Sequence, residues 1–250
     1  MFKIFILSIL LCFGGVITTY TAFAQANADS LAYKNPLYTN TQNSFYQAIG
    51  SQSRLYDGKR YEFYDHAILS NAYYMDITDW RVGSIVYDGY LYEKVDMLYD
   101  LFKDQLIIHL YNSFLKISLV SEKVKTFNLL DHHFEYIKND PANPTSVKTG
   151  FYDDLYSGKI KVLAKRQKTL QTTHGFSGSI DSYFTSTSTD YYIFKNGNYY
   201  SFGSQGTFLN VLKDKKKDLQ QFIRTNKIKY RKNKEQAMAM IAEYYDHLPQ

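Results

Sequence analysis

Ser84-Ile85-Val86-Tyr87-Asp88-Gly89-Tyr90-Leu91-Tyr92 decides the fold class of this chain. Aromatic and branched residues run up to an Asp-Gly pair, and aromatic residues run away from it. Asp-Gly supplies the two positive-φ positions of a type I′ turn, whose twist suits a two-stranded antiparallel ribbon. The construction recurs at residues 55–63 around Asp57-Gly58, at 155–162 around Ser157-Gly158 and at 191–200 around Asn196-Gly197. Their spacing is irregular, so these are hairpins of a sheet and not the units of a solenoid.

Further strands are expected between the hairpins, at 104–111, 114–120, 124–129 and 133–138. Lys116-Ile117-Ser118-Leu119-Val120 alternates, which leaves one face wet. Leu106, Ile107, Ile108 and Leu110 are nearly continuous, which predicts a central strand buried on both faces. Residues 139–150, with Pro141 and Pro144, and 171–189, rich in Ser, Thr and Gly, read as loops. After Gly206 the period changes. Phe208, Val211, Leu212, Leu219, Phe222 and Ile223 mark one face of a helix that ends at Asn226 or Lys227. Asn233, with Gln236 as capping-box partner, opens a second helix over Ala237, Met240, Ile241, Tyr244, Tyr245 and Leu248. The expected fold is mainly β, of the α+β class. It is an antiparallel meander or partly open barrel of about eight to ten strands with a C-terminal helical hairpin.

Four segments follow. Residues 1–24 read as a secretory signal peptide: a basic start at Lys3, an apolar run from Ile4 to Ile17, and Ala22-Phe23-Ala24 before Gln25. The apolar run is too short to span a bilayer, and no later segment is apolar enough to do so. Residues 25–53 are polar, with a short helix capped by Thr41 over Phe45, Tyr46, Ala48 and Ile49 that ends at Gly50-Ser51. Residues 54–206 are the β-domain and 207–250 the helical hairpin packed on it. Cys12 is the single cysteine. Leu11 precedes it, where a lipidation signal needs a small residue. The mature chain then has no disulfide and must be held by its core, which fits the periplasm or outer side of a bacterial envelope.

The chain has 25 Tyr and 17 Phe, and a hydrophobic share of 45% excludes disorder. Tyrosine suits a pleated face with its hydroxyl in water, and it also suits contact surfaces. Charge is uneven. Lys213, Lys215, Lys216, Lys217, Arg224, Lys227, Lys229, Arg231, Lys232 and Lys234 stand against Asp214 and Asp218, a net +8 in a chain of formal charge +5. The rest of the chain is therefore slightly acidic. Such a patch fits an acidic partner or anionic head groups, or is a solvated helix face; export argues against nucleic acid.

No catalytic residue, cofactor or metal site is assigned. Asp131-His132-His133 is the densest polar cluster, with Asp131 and His133 on one strand face. His66, His109, His174 or Glu135 would have to complete a metal site, and no metal-motif spacing is present. Gly175-Phe176-Ser177-Gly178-Ser179 lacks the register of a nucleophile elbow. Asp153-Asp154 and Asp100/Asp104 are carboxylate pairs of unknown separation. There is no phosphate loop or dinucleotide fingerprint.

Gln52-Ser53-Arg54-Leu55-Tyr56-Asp57-Gly58 is followed by Tyr87-Asp88-Gly89, Met97-Leu98-Tyr99-Asp100 and Asp104-Gln105-Leu106-Ile107. Gly150-Phe151-Tyr152 and Val162-Leu163-Ala164-Lys165-Arg166 come next. Asp214-Lys215-Lys216-Lys217 and Glu243-Tyr244-Tyr245 close the order. In this the chain resembles a group of exported envelope proteins of Bacteroidetes-type bacteria that carry no assigned function. The resemblance implies envelope localisation and transfers no active site. The expected function is a non-catalytic binding or assembly module whose partner is an envelope protein, a lipid or a glycan. The alternatives are a secreted hydrolase and a lipid or lipoprotein carrier with a cavity in a curved sheet.

Overall fold

The computed structural model of the chain describes residues 48–174 and 180–249, together with Thr41, Ser44 and Phe45. The expected signal peptide and most of segment 25–53 lie outside the described residues. The chain divides into two units, Met1–Gln42 and Asn43–Gln250, and the sheets and helices below belong to the second. Thr41 is itself helical rather than a cap.

One antiparallel sheet of 11 strands dominates. It contains β1 (Gly58–Arg60), β2 (Arg81–Tyr87), β3 (Tyr90–Asp100), β4 (Gln105–His109), β5 (Lys116–Leu119), β6 (Val124–Leu129), β7 (His132–Ile137), β8 (Gly150–Ser157) and β9 (Lys161–Gln167). It ends with β12 (Ser188–Lys195) and β13 (Asn198–Phe202). The spatial order is β1-β5-β4-β3-β2-β6-β7-β8-β9-β12-β13. Strands β2 to β5 run as a meander. The chain then returns across the sheet, β6 pairs with β2, and the remainder continues in sequence order.

Two of the expected turns have the expected backbone. Asp88 and Gly89 hold φ of 50° and 83°, and Asn196 and Gly197 hold 51° and 77°. The Ser157-Gly158 hairpin also forms, between β8 and β9. The Asp57-Gly58 hairpin does not. Arg54–Tyr56 makes a 3-10 turn, and Gly58 starts the short edge strand β1 paired with β5. Glycine is needed there for proximity: a Cβ on Gly58 would lie 2.5 Å from the Ser118 carbonyl oxygen. The stretch 171–189, expected as a loop, instead contains most of a separate hairpin, β10 (Leu170–His174) with β11 (Ile180–Phe184). Its β-branched threonines suit extended backbone although every residue of β10 is exposed.

The sheet curls strongly. Strands β3 and β8 are four places apart, roughly 19 Å in a flat sheet at about 4.8 Å per strand. Yet the rings of Tyr99 and Phe151 are 5.9 Å apart. Register shifts at Gly83/Ser84, Val86/Tyr87 and Asp154/Tyr156 supply the bending. The two ends are not joined by a ladder, so the sheet stays open. Aromatic rings fill the inner face: Phe127 stacks on Phe134 at 4.6 Å, and Tyr99 meets both edge-on at 5.3 Å. Strand β4 is buried on both sides, with Leu106 and Ile108 inward and Ile107 outward under Tyr61 and Tyr73. Leu110 is half-buried just beyond it.

Three helices, not two, cover the inner face of the C-terminal strands: α1 (Gln205–Val211), α2 (Lys216–Thr225) and α3 (Lys234–His247). The expected first helix breaks at Leu212 and a 3-10 turn, Lys213–Lys215. Its apolar residues have different neighbours. Phe208 packs on Phe202 of the sheet, whereas Phe222 stacks on Tyr244 of α3 at 4.0 Å. The chain must change direction between them. Asp214 pins the turn, accepting from Lys195 Nζ and Tyr245 Oη at 2.7 Å each. Ser204 and Thr207 form a capping box on α1. Asn233 occupies the N-cap of α3, but its side chain bonds the Gln236 side chain at 3.3 Å instead of closing a box. Among the described residues no helix is long and apolar enough to cross a membrane.

Candidate functional site

The helical layer carries the ten expected cations. Lys213, Lys217, Arg224, Lys227, Lys229, Arg231 and Lys232 are exposed; Lys215, Lys216 and Lys234 are half-buried. Lys215 donates to the Pro249 carbonyl, Lys216 to Asn210 Oδ1 at 2.7 Å, and Arg224 to the Gln220 carbonyl at 3.4 Å. Lys234 lies 4.1 Å from the Tyr191 ring centre. Among the described residues none of the ten reaches a carboxylate within 4.0 Å. The segment's Asp214 is itself taken by Lys195. Burial opposes the Asp214 charge, but the bonds from Lys195 and Tyr245 prevail and lower its pKa.

Some cations elsewhere do reach acids. Lys165 and Arg166 on β9, and Lys168 beyond it, each take a distant acid. Lys165 pairs with Asp104, which also accepts from Tyr99 Oη at 2.6 Å and the Phe151 N–H at 3.3 Å. Lys168 pairs with Asp76 and donates to the Asn71 carbonyl at 2.8 Å. The Asp104–Lys165 bonds form a polar seam across the curl, between β3–β4 and β8–β9. Arg166 binds Asp153, through Nε at 3.0 Å, and forks onto both Glu235 oxygens at 2.9 Å each. Burial works against its charge, but Glu235 and Asp153 hold its pKa above the ordinary value. The guanidinium therefore clamps α3 to β8 and β9. Tyr191 Oη donates to Glu235 at 2.9 Å, and His132 Nδ1 lies 2.8 Å from Asp153. Both carboxylates share one guanidinium, which suits a structural clamp.

The Asp131-His132-His133 cluster separates. Asp131 sits exposed in the turn, His132 faces Asp153, and His133 meets Asn128 Oδ1 at 2.7 Å on the exposed side. Glu135 pairs with Lys161 at 2.7 Å, and His109 stacks on Trp80 at 3.8 Å. His66 and His174 are exposed elsewhere. Among the described residues no three His, Cys, Asp or Glu side chains are grouped to hold a metal ion. Asp153 and Asp154 point to opposite faces of β8, as successive strand residues must. Asp100 caps the β3–β4 turn, accepting from Tyr61, Tyr64 and the N–H groups of Phe102 and Lys103. Gly175 to Ser179 lie outside the described residues.

The β12–β13 turn, α1, the Lys213–Lys215 turn and the end of α3 line an open groove of about 820 Å³. It brings Lys195, Asn196 and Tyr200 of the sheet beside Lys213, Lys215 and Asp214. Sequence reasoning found Lys213 and Lys215 but missed the groove and the Arg166 clamp. Both depend on pairings between residues far apart in the chain, such as Lys195 with Asp214, which no local spacing announces. Scans of family models, curated proteins and solved structures each return no match to the chain.

Proposed function

We propose that this chain is an exported, non-catalytic binding module of a bacterial envelope, and that its helical basic layer is the contact surface for an anionic partner. One observation carries the reading: ten cations crowd one segment of 22 positions, Lys213 to Lys234, and among the described residues none of them pairs with a carboxylate within 4.0 Å, whereas the buried Lys165 and Lys168 and the half-buried Arg166 are each paired. Crowded like charges repel, and the fold gains no ion pair from them in return. The inner face of the curled sheet is filled by its own aromatic rings, which favours a surface contact over a carried lipid.

The test is cosedimentation of the mature protein with isolated envelope particles. Wild type should sediment at low salt and release as salt rises, because exposed charges are screened within about 8 Å at physiological ionic strength. Replacing Lys217, Arg224, Lys227 and Lys229 with Gln should abolish sedimentation without unfolding the chain, since all four are exposed. A salt-independent association that survives the change removes the electrostatic role and transfers the contact to the tyrosine-rich hairpins.

A further inference from the structure

The groove beside the basic layer has a chemistry of its own. Its cations, Lys195, Lys213 and Lys215, outnumber its single acid, Asp214. Among the described residues Lys213 has no side-chain partner, so one cation is free to meet a ligand carboxylate. Next to it stand groups that a plain anion does not use. Tyr200, on edge strand β13, leaves 39% of its surface in water and lines the groove. Asn196 offers an amide that both donates and accepts, and Asp214 a carboxylate that accepts. Asp214, already paired with Lys195, keeps acceptor sites that suit hydroxyl groups.

We infer that this groove binds an acidic saccharide of an envelope glycan. The inference rests on the reading of the basic layer as an anion-contact surface and names the ligand class at its edge. Lys213, with Lys195 behind it, meets the sugar carboxylate. The Tyr200 ring meets the apolar C–H face of the pyranose. Asn196 and Asp214 meet hydroxyls, which donate and accept alike. A groove of about 820 Å³ lies within the usual range for small-ligand sites.

The test is calorimetric titration of the mature protein with three probes: trigalacturonate, neutral maltotriose and hexaaspartate. Trigalacturonate should bind, and maltotriose should bind at least tenfold more weakly. Tyr200→Ser should weaken trigalacturonate about tenfold and leave hexaaspartate unchanged, whereas Tyr200→Phe should keep trigalacturonate binding. Tenfold corresponds to about 1.4 kcal/mol. The inference is overturned if trigalacturonate does not bind, or if it binds no better than hexaaspartate and Tyr200→Ser changes neither. Those results leave the envelope-particle test free to succeed. Failure of the surface reading is a separate result, in which the Gln variants sediment as wild type does.

Discussion

Lys227 holds φ at +51°, in the left-handed region that glycine adopts without cost. Its N–H donates to the Arg224 carbonyl and the Ile228 N–H to the Ile223 carbonyl, so it fills the position after the end of α2 where glycine is commonest. A lysine there is strained by about 1 kcal/mol. Lys227→Gly should therefore raise stability in urea unfolding by about that amount while weakening sedimentation with envelope particles. A stability loss would mean that the lysine stem supplies packing. Asp154 gives a pH-dependent case. Burial raises its carboxyl pKa, with Glu135 adding to the effect. A folded pKa above the unfolded one means that the charged form disfavours folding, so stability falls as pH rises through the ordinary carboxylate range. Asp154→Asn should thus raise the melting temperature at pH 7 and leave it unchanged near pH 3. Equal shifts at both pH values would trace the effect to shape rather than charge. Ile107, 0% exposed on β4, should cost about 2–5 kcal/mol on change to Ala. A change within about 0.5 kcal/mol would contradict its place between the sheet and Tyr61.

The Arg166 clamp is the element-scale counterpart, because it fixes where α3 lies on the sheet. Arg166→Met removes the guanidinium that joins Asp153, whose side chain is 1% exposed, to Glu235. A buried carboxylate losing such a partner costs about 3–5 kcal/mol. Adding Asp153→Asn should recover part of that loss, and a double variant no more stable than the single one would deny the coupling. Elements written in local sequence were legible. The Asp88-Gly89 and Asn196-Gly197 turns, the β6 bounds and the amphipathic face of α2 follow from spacing and turn chemistry; on α3 the expected Ala237, Ile241 and Tyr245 are buried, but Met240 is exposed and Met238 is buried instead. Elements set by distant partners were not. Gly58 follows an Asp as a turn glycine would, yet serves a close strand contact. The break at Leu212 depends on Lys195 and Tyr245. The basic layer was visible as a charge run; the groove beside it required β13, which only the folded sheet brings near Lys213. Contacts far apart in sequence also lay beyond local spacing: Tyr99 and Asp104 join Phe151 and Lys165, and Arg54 pairs with Asp88 at 2.8 Å.

For the unit Asn43–Gln250, the helices and the sheet are interdependent. Val162, Ala164, Ile193 and Phe202 form one core with Phe208, Leu212, Leu219, Met238 and Ile241. A chain ended at Phe202 should therefore bind a hydrophobic dye and aggregate; a monodisperse, dye-silent fragment would show that the sheet stands without its cover. The same dependence means the charged layer cannot be grafted away from the sheet that supports it. The curl has a different outcome, because β3–β4 and β8–β9 meet across it through side chains and not through a ladder. A ladder yields only when many backbone bonds break together. A join made by Asp104, Lys165, Tyr99 and the Phe151 N–H is a single row of buttons. The open sheet could part along that row without breaking a strand pairing, but only by pulling Tyr99 away from Phe151, so the polar row acts as a latch over aromatic packing.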